Sequence, residues 1–145
     1  MKISGSYEFN APPEKVWSAL MDPESLSGCI PGCEALKSVG QDRYEAAISV
    51  AIGPIRGKFD AKISMLDQEP NKSYKLVIEG RGTSGFVNGE AVVTLLANGA
   101  ATTVQVDGDS QSGGLLARVG QRMIESVAKS QMDRFFNCLR EATEA

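Results

Sequence analysis

Residues 43–66 read RYEAAISVAIGPIRGKFDAKISML, and their apolar side chains recur at every second position. The first half alternates from Tyr44 to Ile52, and the second half alternates from Phe59 to Met65. A period of two is typical of a strand with one covered face and one solvated face. We therefore predict two strands, residues 43–52 and 58–66, joined by a turn at residues 53–57 that contains glycine and proline.

The same pattern continues on both sides of this stretch. Turn signals separate further predicted strands at residues 3–9, 35–39, 73–79, 85–96 and 102–109. Alternation at several places means that only one face of the sheet is covered, which is typical of antiparallel sheets.

Helices are predicted near the start and at the end of the chain. Ala11-Pro12-Pro13-Glu14 starts a short helix, and Asp22-Pro23 ends it and caps a second one around residues 23–26. Apolar side chains at helical spacing in residues 113–145 predict one helix of roughly 25–30 residues. The predicted fold is α+β, in one domain of residues 1–145, with a curved antiparallel sheet wrapped around the long C-terminal helix.

Composition narrows the classes of partner. The 145 residues carry a net charge of −3, so the chain gains nothing from neutralising phosphates, and we expect no nucleic-acid partner. The N-terminus MKISGSYEFN has no apolar signal core, and no apolar run reaches the roughly 18 residues that cross a membrane. We expect a cytoplasmic protein.

The cysteines give a weaker signal. Cys29, Cys33 and Cys138 are odd in number, which argues against a complete disulfide framework. The chain has no histidine, so a zinc site would need other ligands, and we predict no metal. We expect buried, inert thiols, with a disulfide between Cys29 and Cys33 left open. The loop between these two is either the mouth of a cavity or an ordinary rigid turn set by Pro31.

A strongly twisted sheet coils, and a coil around a single helix leaves space between the two. Aromatic residues make up 6% of the chain, and small residues such as Ala46, Ala61 and Gly89 recur along the strands, so few bulky side chains can fill that space. We therefore predict an apolar ligand cavity; the alternative is that the same side chains pack together as an ordinary core. The predicted ligand-binding residues are Leu26, Ile30, Ile48, Val50, Ile52, Phe59, Ile63, Met65, Leu76, Ile78, Val104, Val106, Leu116, Met123 and Val127.

Catalytic patterns are mostly missing. Without histidine, no Ser-His or Cys-His pair can form, and we predict no catalytic residue. The strand at residues 85–96 offers two faces, and we expect Val87, Val93 and Leu95 to point inward. The opposite register would bury Asn88 and Glu90, which would then be the best candidates for a polar ligand contact or for acid–base chemistry.

Several stretches resemble the CoxG family of carbon monoxide dehydrogenase subunits. They are residues 1–9 followed by PEKVW at 13–17, LSGCIPGCE at 26–34, GPIRGKF at 53–59, GFVNGEA at 85–91 and GQRMIESVAKSQMDRFF at 120–136. The order of elements is similar to that of the helix-grip superfamily, which includes polyketide cyclases and steroidogenic-acute-regulatory-related lipid transfer domains. The resemblance implies a helix-grip fold.

The resemblance also implies a function. Members of this family are implicated as accessory proteins of molybdenum hydroxylases, which they recruit to the membrane or supply with a quinone held in the cavity. We therefore expect a non-enzyme that binds a quinone or lipid, has no covalent cofactor, and touches the inner face of the cell membrane only peripherally. Many members continue past the long helix into an anchoring tail, and since this chain ends at Ala145 such anchoring is not expected. Alternatives are an assembly factor with an incidental cavity and a cyclase-like or hydrolase-like enzyme.

Overall fold

The computed structural model describes residues 1–144, which form seven strands, three α-helices and one 3-10 turn. The elements in chain order are β1 (Lys2–Phe9), α1 (Pro13–Met21), α2 (Pro23–Cys29), β2 (Cys33–Gly40), β3 (Arg43–Ile52), β4 (Ile55–Glu69), β5 (Ser73–Gly82), β6 (Gly85–Asn98), β7 (Ala101–Gly114), the 3-10 turn (Leu115–Val119) and α3 (Gln121–Glu144). This order confirms the predicted succession. Ala145, the last residue of the predicted helix, lies outside the described residues.

The strands form one antiparallel sheet in the order β1-β7-β6-β5-β4-β3-β2. The register aligns the apolar positions of neighbouring strands: on β3 and β4, Tyr44 lies opposite Ile63 and Ile48 lies opposite Phe59. These positions form the inward face of the sheet, which the helices cover. The outward face is polar, with Glu45 opposite Lys62, so the alternation in residues 43–66 predicted both faces correctly.

The helices pack on the inward face and enclose two apolar clusters. In the larger cluster, Phe9, Leu20 and Leu139 are fully buried where α1, β1 and α3 meet. A smaller cluster contains Ile52, Phe59, Leu116 and Ile124. None of the helices in the described part of the chain has the length and apolar character needed to cross a membrane.

The long helix begins later than predicted. Residues 110–114 instead continue β7 and pair with β6, where Gly114 lies opposite Gly85. Gly114 and Gly120 have φ of 72° and 92°, a backbone conformation that glycine adopts without a steric penalty. They separate the strand, the 3-10 turn and α3, so the apparent helical spacing from Leu116 onward spans two different elements.

The cysteine prediction was wrong for two of the three thiols. Cys29, at the end of α2, forms a disulfide with Cys138 on α3, and their Cα atoms are 5.4 Å apart. Cys33 is the free cysteine, half-buried, with its thiol 3.4 Å from the Ala35 carbonyl oxygen. The pairing was hidden because α2 extends to Cys29 rather than ending near Leu26, which brings its last turn against α3.

Candidate binding cavity

An apolar cavity of about 240 Å³ lies between the inward face of the sheet, the end of α2 and the middle of α3. Its lining is drawn from α2 and the loop after it, from β3 to β7, and from α3. The lining residues are Leu26, Ile30, Pro31, Ile48, Ile63, Met65, Tyr74, Leu76, Ile78, Val93, Val106, Gln131, Met132, Phe135 and Phe136. Ile78 is 37% exposed although it lies on the inward face, so the cavity opens to solvent beside this residue.

The structure brings about half of the predicted ligand-binding residues to this cavity. Those residues are Leu26, Ile30, Ile48, Ile63, Met65, Leu76, Ile78 and Val106. The loop after α2 supplies two of the lining residues, Ile30 and Pro31, and it is also rigid. Gly32 has φ of 78°, and a Cβ there would overlap the Ser49 carbonyl oxygen. Both interpretations of this loop therefore hold.

The other predicted residues lie elsewhere. Ile52, Phe59 and Leu116 belong to the smaller apolar cluster, where they pack against Ile124. Val104 is fully buried in the larger cluster without reaching the cavity.

Three of these corrections concern the helix and its surroundings. Met123 is 40% exposed because the neighbouring Ile124 takes the inward position on α3. Val50 and Val127 pack against the smaller cluster and line a separate surface groove. The inward direction of the strand residues was right, but at this end of the sheet the 3-10 turn and α3 fill the space.

Sequence reasoning missed part of the lining. Tyr74 and Val93 were assigned to inward strand faces, and Met132, Phe135 and Phe136 to the helix stripe, yet none was named as a ligand contact. Their periodicity was a usable signal. Gln131 had none, because a polar residue beside an apolar stripe is ordinary on a helix.

Two lining side chains carry polar atoms. The Gln131 amide donates a 3.4 Å hydrogen bond from Nε2 to the Pro31 carbonyl oxygen, which ties α3 to the loop after α2. Tyr74 is only 4% exposed, and the edge of Trp17 packs on its ring with centroids 5.6 Å apart. Burial raises the pKa of Tyr74 well above its usual value, so the phenol is neutral at physiological pH.

No carboxylate of the described residues lines this cavity. Glu90 points outward and its carboxylate lies 3.5 Å from Lys75 Nζ, while Val93 and Leu95 are buried on the inward side. The preferred register of β6 is therefore confirmed. Glu45, Asp60 and Glu79 are exposed on the outward face, as predicted.

A polar group supports one wall of the cavity from behind. The Tyr7 ring stacks on Phe136 with centroids 4.3 Å apart, and its hydroxyl donates a 2.7 Å hydrogen bond to Asp133 Oδ1. Lys129 Nζ lies 2.9 Å from the same oxygen. Lys129 and Tyr7 together lower the pKa of Asp133, and the bond to Asp133 raises the pKa of Lys129. This network fixes α3 against β1.

A larger groove of about 680 Å³ lies at the charged positions of β3 to β5. Exposed charges such as Glu45, Asp60 and Arg81 line it. We assign the binding site to the smaller cavity, because removing an apolar molecule from water needs an apolar lining.

Comparison with known proteins places this fold in a family. A family model for CoxG, a subunit of carbon monoxide dehydrogenase, matches residues 5–144. The crystal structure of a conserved protein from Geobacillus kaustophilus is similar, with 39% identity, a TM-score of 0.94, and coverage of 99% of this chain and 95% of that one. No curated protein gives a significant match.

More distant structures share the fold alone. A START superfamily protein from Mycobacterium smegmatis has 16% identity and a TM-score of 0.75, covering 99% of this chain and 97% of that one. The ZhuI aromatase/cyclase from Streptomyces sp. R1128 has 13% identity and a TM-score of 0.70, covering 99% and 93%. These likenesses confirm the predicted helix-grip fold, and the match over nearly the whole length shows that the chain belongs to the CoxG family of carbon monoxide dehydrogenase subunits.

Proposed function

We propose that this protein is a non-catalytic carrier that holds a hydrophobic small molecule, a quinone or a lipid, in the cavity between the sheet and α3. The observation that carries the proposal is the lining, in which thirteen apolar or aromatic side chains surround the space beside Tyr74 and Gln131. Apolar burial is worth about 25 cal/mol per Å². A ligand that loses roughly 300 Å² of exposed surface therefore gains several kcal/mol before the costs of ordering.

Membership of the family supports a partner for this carrier. The family name refers to a subunit of carbon monoxide dehydrogenase, and we propose that the protein serves a molybdenum hydroxylase of that type. It would either recruit the enzyme to the membrane or deliver an electron acceptor to it. A quinone suits the second role, because it is both apolar and reducible, and it would be bound without a covalent link.

The alternatives have less support. An enzyme of the cyclase sort shares the fold of ZhuI, but the carboxylate that seemed best placed for catalysis, Glu90, points away from the cavity and pairs with Lys75. An assembly factor is expected to expose a continuous apolar patch. The most exposed valine of β6, Val92, lies between Lys75 and Asp107 in the sheet register, so charges interrupt the apolar surface there.

Native mass spectrometry of the purified protein, followed by organic extraction, tests the proposal. A co-purifying isoprenoid quinone supports a carrier of electron acceptors, and a fatty acid or phospholipid supports a lipid carrier. A protein that is empty and also fails to bind added quinone contradicts the carrier function. Pull-down of a molybdenum hydroxylase by such an empty protein favours the assembly factor.

A further inference from the structure

The hydroxyl group of Tyr74 has no partner. It makes no hydrogen bond to any of residues 1–144, although the side chain is 4% exposed. No buried polar side-chain atom of the described residues is both sealed from water-sized space and unpaired. The Tyr74 oxygen must therefore face open space, and the open space against this residue is the cavity.

The contrast with Tyr7 shows that this is a property of the site. Tyr7 is buried to a similar degree, but its hydroxyl bonds to Asp133 at 2.7 Å. A buried phenol normally finds a partner, because leaving the donor unsatisfied costs free energy. Around Tyr74, the other polar lining side chain is Gln131, whose amide nitrogen already bonds to Pro31.

The lining also restricts the charge of the partner. No Lys or Arg side chain lines the cavity, so a carboxylate placed there would lose its hydration without gaining a counter-ion. A neutral acceptor oxygen has no such cost. Since the phenol stays protonated, it is available as a donor.

We propose that Tyr74 donates a hydrogen bond to a carbonyl oxygen of an otherwise apolar, uncharged ligand, and that this bond selects neutral ketones or quinones over hydrocarbons and fatty acids. The inference rests on the proposed carrier function and adds the ligand class and the residue that recognises it. Trp17 packs on the Tyr74 ring and holds the phenol in place, so the donor is positioned before the ligand arrives.

Two bicyclic probes of almost the same shape test this pairing. 2-Acetylnaphthalene carries a carbonyl oxygen where 2-isopropylnaphthalene carries a methyl group. Their affinities are measured by calorimetry for the wild-type protein, for Tyr74→Phe and for the control Tyr44→Phe, since Tyr44 is buried in the same cluster but does not line the cavity. 2-Naphthoic acid serves as the charged probe.

The expected result is that Tyr74→Phe weakens binding of the ketone about five- to tenfold and changes binding of the hydrocarbon by less than twofold. Tyr44→Phe leaves both affinities unchanged, and the wild-type protein binds naphthoate more weakly than the ketone. If both neutral probes bind and Tyr74→Phe affects them equally, the role of Tyr74 is overturned while the carrier function stands. If neither probe binds the wild-type protein, the carrier function itself falls.

A second measurement needs no variant. 2-Acetylnaphthalene labelled with ¹³C at the carbonyl carbon is observed by NMR when bound to the wild-type protein. A hydrogen bond to the carbonyl oxygen moves this resonance downfield from its position in an apolar solvent. A bound resonance at the position found in hexane would overturn the proposal even if Tyr74→Phe failed to fold.

Discussion

Cys29 at the end of α2 is joined by a disulfide to Cys138 on α3, 109 residues further along the chain. The two elements that it ties together both line the cavity, α2 through Leu26 and α3 through Phe135 and Phe136. Cross-linking residues so far apart restricts the unfolded chain strongly. The disulfide therefore holds the helical side of the cavity together as well as stabilising the fold.

Reduction of this disulfide should lower stability. We expect Cys138→Ser to reduce the free energy of unfolding by about 2–4 kcal/mol, measured by urea denaturation without reductant. A reducing agent should then lower the wild-type midpoint but leave that of the variant unchanged. Cys33→Ser is the matched control and should keep the full response to reductant. A wild-type midpoint that does not respond to reductant would show that the disulfide does not contribute.

Tyr7→Phe should destabilise the protein in a pH-dependent way. Lys129 and the Tyr7 hydroxyl keep the pKa of Asp133 below its usual value. A carboxyl shifted in this direction stabilises the fold above its unfolded pKa of about 3.9, and the contribution is lost as the pH falls through the lower folded pKa.

We therefore expect Tyr7→Phe to cost about 1–2 kcal/mol at pH 7, and this difference should shrink as the pH falls below about 4. Urea titrations across this range measure it. In an Asp133→Asn background the effect of Tyr7→Phe should be small at every pH. A difference that stays constant down to the acid limit would mean that the ionised carboxylate is not the partner.

Filling the cavity should remove binding without removing the fold. Leu76→Phe adds volume at the lining, and we expect it to weaken binding of a short-chain quinone at least tenfold, roughly the effect of 1.4 kcal/mol. The control is Val77→Phe on the same strand, whose side chain points to the opposite face. Calorimetric titration compares the two. Equal affinity for both variants would place the ligand elsewhere.

The smaller cluster should matter for stability alone. Phe59 is buried against Ile52 and Leu116 and does not reach the cavity. Phe59→Leu should lower the free energy of unfolding by about 1–2 kcal/mol and leave quinone affinity within twofold. A large loss of binding at unchanged stability would return Phe59 to the site, as the sequence first indicated.

The residues of β3 show how far the sequence could predict this molecule. The alternation assigns Ile48 and Ile52 to the same inward face, and the structure confirms both directions. Ile48 lines the cavity, however, while Ile52 packs against Leu116 and Ile124. Alternation reports which face a side chain occupies, but the distance between sheet and helix depends on tertiary packing. The sequence therefore predicted the walls and not the extent of the cavity.

Local chemistry explains the remaining errors. The start of α3 depends on φ values at Gly114 and Gly120, and the spacing of Leu116 and Met123 hides these breaks. The Cys29–Cys138 pairing joins residues that no local pattern connects. Tyr74 was assigned correctly to the inward face, but its missing hydrogen bond is visible only when every neighbour is in place.

Methyl-resolved ¹³C NMR during titration with a short-chain quinone tests the central claim most directly, because isoleucines mark both the cavity and the smaller cluster. The cavity account predicts large shift changes for Ile48, Ile63 and Ile78, which line the space, and small changes for Ile52 and Ile124, which lie in the other cluster. Changes concentrated at Ile52 and Ile124, or none at any isoleucine under conditions of saturating quinone, would contradict it.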